Sequence, residues 1–311
     1  MVARRSSLSE YQLQYVYGAP PADLAITPTG AVQVSPQVCG SQALEHVPPA
    51  SAAGFLICAP PGTVERRYVI ALALRALAPG GLLTIMAPKD KGGSRLGKEL
   101  VAFGLEVEDS GRRHQRLCIA TRADDLVGID EAIRVGAPQI VPGLGLWSQP
   151  GLFSWDRLDP GTAQLLSVLP PMSGRGVDLG CGAGVIARAI LTSAKVEHLD
   201  LVDIDRRAIE AAEHNVIDPR VQFHWADART APPLEGLDFV VMNPPFHDGG
   251  WEDKALGQAF IRRGRDALRK GGVLWLVANR HLPYEEVLTP LFSQVKLKSE
   301  LKGFKVYEAR R

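Results

Sequence analysis

Two short segments of this chain combine residue types that can hold a small nucleoside-like ligand and a planar amine. The first runs Val177-Asp178-Leu179-Gly180-Cys181-Gly182-Ala183-Gly184, an apolar stretch entering three glycines at alternate positions. Glycines there let the backbone turn sharply and let a ligand approach without meeting a Cβ. A dinucleotide-binding turn would carry its third glycine at position 185, which is Val here, and this disfavours a nicotinamide oxidoreductase. Asp203, 25 residues after Asp178, ends the next apolar run, where a carboxylate can accept from both hydroxyls of a ribose. Asp205 suits the cap of the helix that starts at Arg206, which leaves Asp203 as the ligand. Asp227 ends a third run and is placed for an adenine amino group.

With Asp178 inside the strand, the D-x-G-x-G-x-G pattern resembles the first motif of class I methyltransferases. In that family the turn passes close to the methionine part of S-adenosyl-L-methionine. The resemblance implies this cofactor, held by Asp178, Gly180, Gly182, Gly184, Asp203, Asp227 and Asn243.

The second segment is Asn243-Pro244-Pro245-Phe246, 59 residues beyond Gly184. Proline stops ladder pairing and fixes the chain direction, so a strand entering Pro-Pro ends in a stiff turn. That turn presents two acceptors, the Asn243 side-chain oxygen and the Pro244 carbonyl. Together they can bind both hydrogens of an NH2 group whose lone pair is delocalised into a π-system. Hydrogen bonding to both favours pyramidalisation and aims the lone pair at a sulfonium methyl, with positioning as the main source of rate. Pro245 stiffens the turn, Phe246 can stack on the acceptor's flat face, and His247 and Asp248 line the same loop.

These groups need a scaffold of alternating strands and helices, an α/β protein with a mostly parallel sheet. Expected strands in the second half are 176–179, 198–203, 221–225, 237–242 and 273–278, with helices at 185–193, 206–215, 254–269 and 284–292. Two further β-like runs, 295–300 and 304–309, join through Gly303 and suit an antiparallel edge pair.

The first half echoes the second. Residues 75–87 resemble 266–278, each a helix end, a Gly-Gly turn and a buried strand, and residues 55–61 resemble 239–245. This reads as a duplication whose first copy has lost its chemistry: Ala59 stands before Pro60-Pro61, and the span from Pro-Pro to Gly-Gly is seven residues shorter. Residues 136–151 have the Gly- and Pro-rich composition of a linker. The expected domains are 1–137, a degenerate copy, and 138–311, the catalytic one.

Hydrophobic residues make up 46% of the chain and charged ones 22%, which excludes wholesale disorder. The net charge of +1 gives no global pull toward nucleic acid, so local clusters must decide any such contact. Lys89, Lys91, Arg95 and Lys98, then Arg112, Arg113 and Arg116, are candidates in the first half. A third cluster, 262–270, reads as a solvated helix face. The four cysteines lack metal-ligand or disulfide spacing, so no metal site is expected. Arg4-Arg5 is followed by no apolar stretch, and no run is long enough to span a bilayer, so a cytoplasmic protein is expected. Nothing fixes the oligomeric state, and a monomer is the default.

The extended form Asn243-Pro-Pro-Phe-His-Asp-Gly249 is narrower than the general Asn-Pro-Pro-aromatic pattern. With Gly151-Leu-Phe-Ser154, Leu158-Asp159, residues 277–284 and residues 303–307, it resembles the bacterial ribosomal RNA guanine-N2 methyltransferases of the small-subunit type. The likeness covers essentially the whole second half. It implies a duplicated class I methyltransferase fold, Rossmann-like, with a seven-stranded sheet and a degenerate N-terminal copy. It implies methylation of a guanine N2 amine in ribosomal RNA, with a ribosomal subunit or its RNA as partner and the worn copy aiding RNA handling. Phe153, Asp159 and Thr162 fall where such enzymes line their clefts, although Asp159-Pro-Gly-Thr equally starts a helix. Adenine N6 and a protein glutamine are alternative acceptors for the same clamp. A non-catalytic RNA-binding protein is the rival from another class, opposed by the intact motifs.

Overall fold

The computed structural model describes residues 14–25, 27–230, 233–245, 247–248, 251–252 and 254–311, without the side chains of 247, 248, 251, 252 and 254. The chain divides into two compact units, Met1–Ala137 and Pro138–Arg311.

Unit 1 runs β1 (Gln14–Tyr17), β2 (Val32–Gln33), β3 (Ala52–Cys58), α1 (Thr63–Ala76), β4 (Leu77–Pro88), α2 (Leu96–Val101), β5 (Val107–Arg112), β6 (Gln115–Thr121) and α3 (Ile129–Gly136). Its sheet has the order β2-β1-β3-β4-β6-β5. The first four strands are parallel, and β6 pairs antiparallel with both β4 and β5. Helix α1 is buried along its whole middle, from Tyr68 to Leu74, because it lies between the sheet and α3. Its apolar run is therefore continuous rather than striped.

Unit 2 opens with a hairpin, β7 (Gln139–Val141) and β8 (Leu146–Ser148), followed by α4 (Pro160–Val168), β9 (Gly174–Leu179), α5 (Val185–Ile190), β10 (Val196–Asp203), α6 (Arg206–Asn215) and β11 (Val221–Trp225). It continues with β12 (Leu237–Met242), the short pair β13 (His247–Asp248) and β14 (Trp251–Glu252), α7 (Lys254–Ala267), β15 (Leu268–Asn279), α8 (Glu285–Leu291), β16 (Gln294–Leu301) and β17 (Phe304–Arg310). The seven-stranded sheet has the order β11-β10-β9-β12-β15-β17-β16, with every strand running the same way except β17, which is antiparallel to both β15 and β16. Val177, Val240, Met242, Leu274 and Leu276 face the core shared with α7 and α8. Leu201, Phe239, Val241, Trp275 and Val277 face the core shared with α4, α5 and α6. Burial on both faces explains why these strands read as unbroken apolar runs. Strand order reverses between β9 and β12, and ligands in open α/β sheets bind at the carboxyl ends beside such a switch.

Strand for strand, the two sheets share one pairing scheme, with β1, β2, β3, β4, β5 and β6 standing for β9, β10, β12, β15, β16 and β17. The first copy has no counterpart of β11 among the described residues. This is the duplicated class I methyltransferase fold.

Three expectations need correction. The helix expected to reach residue 269 stops at Ala267, because Leu268 already pairs with Leu237 before the Gly-Gly bulge. The linker-like stretch holds the β7–β8 hairpin, whose Trp147 backbone N–H and carbonyl are both bonded by the Asn215 amide, at 2.7 and 2.8 Å. The third concerns Ala59. Leu179, just before Gly180, pairs with Met242, whereas Tyr17, just before Gly18, pairs with Ile57. Counted from these neighbours, Cys58 holds the register position of Asn243, and Pro60-Pro61 comes one residue late. A one-residue slip sends a side chain to the other face of a sheet. Ala59 accordingly packs into the α1 core, while Cys58 packs on the opposite side.

Candidate functional site

Leaving β9, the chain passes through Gly180, Gly182 and Gly184 at φ of 77°, 51° and 80°, a left-handed region that strains residues with a Cβ. Gly184 is also confined, since a Cβ there would stand 2.8 Å from Val216, whereas Gly182 faces open space. The Gly182 N–H donates to one Asp203 oxygen and the Asp205 N–H to the other, both at 2.9 Å. Asp203 thus ties the glycine loop to the end of β10, and each oxygen keeps a lone pair for a further donor. Burial raises its pKa to about 6, partly offset by those backbone N–H groups. Asp205 caps α6, accepting from the Arg207 backbone and side chain. From the other side, Asn215 donates to the Ala183 carbonyl at 2.9 Å and braces the loop, a role its position at a helix end did not reveal.

Asp178 has no solvent exposure, and neither carboxylate oxygen has a hydrogen-bond partner. Burial, and then the Asp203 charge, push its pKa up to about 8. An unpartnered buried carboxylate is costly. Beside a loop open at Gly182, it fits a ligand that brings an ammonium group, as the methionine part of S-adenosylmethionine does. Cys181 in the same loop is buried, which pushes its thiol well up and disfavours thiolate chemistry.

Asp227 follows β11, and its carboxylate is forked by the Arg229 guanidinium, which holds it below the usual carboxylate range. A contact from Asp227 to an adenine amine must therefore share these oxygens with Arg229.

Asn243 follows β12 on the α4 side of the sheet. Its Nδ2 donates to Asp159 Oδ2 and to Thr162 Oγ1, both at 3.0 Å. Asp159 is the N-cap of α4, accepting from the Thr162 N–H at 2.7 Å. Helix start and cleft lining, rival expectations for Asp159, are met by one side chain. Pro244 is buried and Pro245 exposed. Phe246 lies outside the described residues; His247 is placed in β13 without its side chain.

One cleft is lined by Gly180, Gly182, Asp159, Thr162, Asn243 and Phe153, with Trp155 and Leu158 at its wall. The glycine loop and the Asn-Pro-Pro turn, 59 residues apart in sequence, therefore share a single space. Phe153, 61% exposed, offers an aromatic face at that cleft. Among the described residues no group of three or more His, Cys, Asp or Glu side chains could hold a metal ion, and no helix is long and apolar enough to cross a membrane.

Lys89, Lys91 and Arg95 belong to unit 1, in the loop and 3-10 turn between β4 and α2. The Lys89 N–H donates to the His114 carbonyl at 2.9 Å, which sets this loop against the β5–β6 turn carrying Arg112, Arg113 and Arg116. Two clusters separate in sequence thus form one basic edge, partly neutralised by Asp23 on Arg113 and Asp109 on Arg116.

Residues 143–308 match the family model described as the methyltransferase small domain. Ribosomal RNA small subunit methyltransferase C of Shewanella loihica is 31% identical over 253 residues, spanning 78% of this chain and 73% of that protein. The protein of the same name from Shewanella amazonensis is 35% identical over 255 residues, spanning 77% and 72%. A solved structure, the T. thermophilus 16S rRNA N2 G1207 methyltransferase in complex with AdoMet and guanosine, superposes with a TM-score of 0.73 at 22% identity. It covers 96% of this chain and 82% of that one, and shows the same fold.

Proposed function

Given that the chain belongs to the ribosomal RNA small subunit methyltransferase C family, we propose that it methylates the exocyclic N2 amine of a guanine in small-subunit ribosomal RNA, using S-adenosylmethionine. The observation that carries this reading is the shared cleft, with the Asn243 amide on one side and the glycine loop on the other. The cofactor, when bound, supplies an electrophilic methyl on a sulfonium. Gly180, Gly182 and Gly184 shape the loop for its close approach, Asp178 meets its ammonium, and Asp203 accepts from its ribose. Asp227 reaches the adenine edge.

On the acceptor side, Asn243 Oδ1 and the Pro244 carbonyl each take one hydrogen of the guanine NH2. This orients the nitrogen lone pair along the line of attack, and orientation of this kind contributes up to about 7–11 kcal/mol in well-aligned systems. Pro245 holds the turn, while Phe153 and Phe246 stack on the purine. No strong base is needed, since the amine becomes acidic only as the N–C bond forms and can then release its proton to water. The basic edge of unit 1, Lys89, Lys91 and Arg95 with its neighbouring arginines, contacts RNA phosphates.

Incubating the protein with labelled S-adenosylmethionine and either naked 16S RNA or isolated small subunits, then mapping the modified nucleotide, tests this. N2-methylguanine in RNA is expected; N6-methyladenine, or label in protein, overturns the assignment.

A further inference from the structure

The partners of Asn243 decide more than where its side chain sits. A primary amide has an acceptor end and a donor end of nearly equal shape, so either can face the cleft until a neighbour chooses between them. We infer that Asp159 and Thr162 are positioning residues that together hold the Asn243 amide, with the acceptor-only carboxylate of Asp159 setting its polarity, so that the clamp offers an acceptor to the substrate and not a donor. The inference rests on the methyl-transfer reading above and adds to it the residues that select an amino group over a carbonyl.

Both Nδ2 hydrogens are engaged, one by Asp159 Oδ2 and one by Thr162 Oγ1. An ionised carboxylate only accepts, so turning the amide over would set two acceptor oxygens against each other at about 3 Å. Oδ1 is thereby left as the end presented to the cleft that Asn243, Asp159 and Thr162 all line. The bond to an anionic oxygen is charge-assisted, and it polarises the amide toward greater electron density on Oδ1. That favours a nitrogen acquiring positive charge during methylation and disfavours a keto oxygen in the same place.

The two partners are themselves held. Asp159 Oδ2 also takes the Thr162 N–H as the α4 cap, so cap and lock share one atom. Thr162 is 7% exposed. At Gly161, between them, a Cβ would lie 2.9 Å from the Phe304 ring and 3.0 Å from Asp159 Oδ2. Gln164, one turn on from Gly161, donates to Ser299 Oγ at 2.9 Å and to the Phe304 carbonyl at 3.3 Å. The first turn of α4 is therefore anchored on the β16–β17 edge and delivers two acceptors to the end of β12.

The test compares Thr162→Val, Thr162→Ser and Asp159→Ser with the wild-type chain. Valine keeps the shape of threonine without the oxygen; serine at 159 keeps the helix cap but lacks the reach to Asn243. Thr162→Val and Asp159→Ser are expected to lower kcat by about 10- to 100-fold, the scale of a misplaced catalytic contact. Affinity for S-adenosylhomocysteine and the melting temperature of Thr162→Val should stay close to wild type, and Thr162→Ser should restore kcat. A wild-type chain that methylates guanine, together with a Thr162→Val chain of unchanged kcat, overturns the inference while leaving the function intact. If the wild-type chain transfers no methyl group, the side-chain NH2 of Asn243, assigned by NMR from its loss in Asn243→Ala, still decides it. Slow hydrogen exchange of both protons, lost in Thr162→Val, supports the lock; fast exchange in the wild type overturns it.

Discussion

The two units carry one sheet plan and differ in what fills the space beyond Pro-Pro. In unit 2 the chain passes from Pro245 through the β13–β14 pair before entering α7. In unit 1 it enters α1 two residues after Pro61, so the seven-residue shortening corresponds to the missing hairpin. The shorter path places Arg66 against the turn, where it donates to the carbonyls of Pro60 and Pro61 at 3.1 and 2.7 Å. Its Nε and Nη2 grip Glu99 bidentately at 2.7 Å, and Arg66 is 1% exposed. Pro60 is the sequence counterpart of Pro244. The Pro-Pro turn of this copy is thus closed from within by a side chain, and in strand register Pro60 falls at Pro245 and not at Pro244. The two copies share the sheet and differ in this closed turn and in the one-residue slip of β3 against its neighbours.

The largest expected effect falls on the intact copy. Asn243→Ala should reduce methylation by about a thousandfold, the upper range for removing one preorganised polar group. Cofactor affinity should stay within about threefold, and near-normal transfer would erase the functional difference between the copies. In the worn copy, Arg66→Met leaves Glu99 buried without its partner and should cost about 3–5 kcal/mol in denaturant unfolding of unit 1. Cofactor titration should still give one site per chain; a second site would break the comparison.

Charge reversal at Lys89, Lys91 and Arg95 should weaken RNA binding by about tenfold or more. The slope of log Kd against log salt should fall by about 0.7–0.9 for each RNA phosphate no longer neutralised. Unchanged binding removes unit 1 from the RNA footprint. The smallest effect concerns pH. Asp178 titrates at about 8 in the folded, ligand-free protein against a usual 3.8, so folding takes up a proton between these values. Its contribution to stability is full below about pH 4 and is lost as pH rises toward 8. An ammonium favours the ionised form, so cofactor affinity should rise by up to about tenfold between about pH 6.5 and 8. Calorimetry on Asp178→Asn should show that rise flattened.

Local patterns made part of this legible. The bounds 206–215, 221–225 and 237–242 follow directly from apolar runs and their punctuation, and the structure places elements at these positions. The glycine loop and the Asn-Pro-Pro turn carry their conformations in their own residues. What the sequence left open depends on partners distant along the chain. Asp159 and Asn243 are 84 residues apart, so a helix cap that also orients an amide shows locally only as a cap. The slip that exchanges Ala59 for Cys58 exists only as pairing with β1 and β4. The basic clusters at 89–95 and 112–116 became one edge through the pairing of β4 with β6, which the Lys89–His114 backbone hydrogen bond extends.

The Asn243-Pro244 bond has a bearing on the working lifetime of the protein. Asparagine in a turn ordinarily ages by deamidation, when the backbone nitrogen of the following residue closes on the side-chain carbonyl as a succinimide. Proline has no N–H to lose, so that route is closed at this position. The slower alternative, in which the side-chain nitrogen attacks its own backbone carbonyl and cuts the chain, needs a mobile Nδ2. Here that nitrogen is tethered to Asp159 and Thr162. The residue on which the clamp depends is shielded from both spontaneous reactions that would convert or sever it.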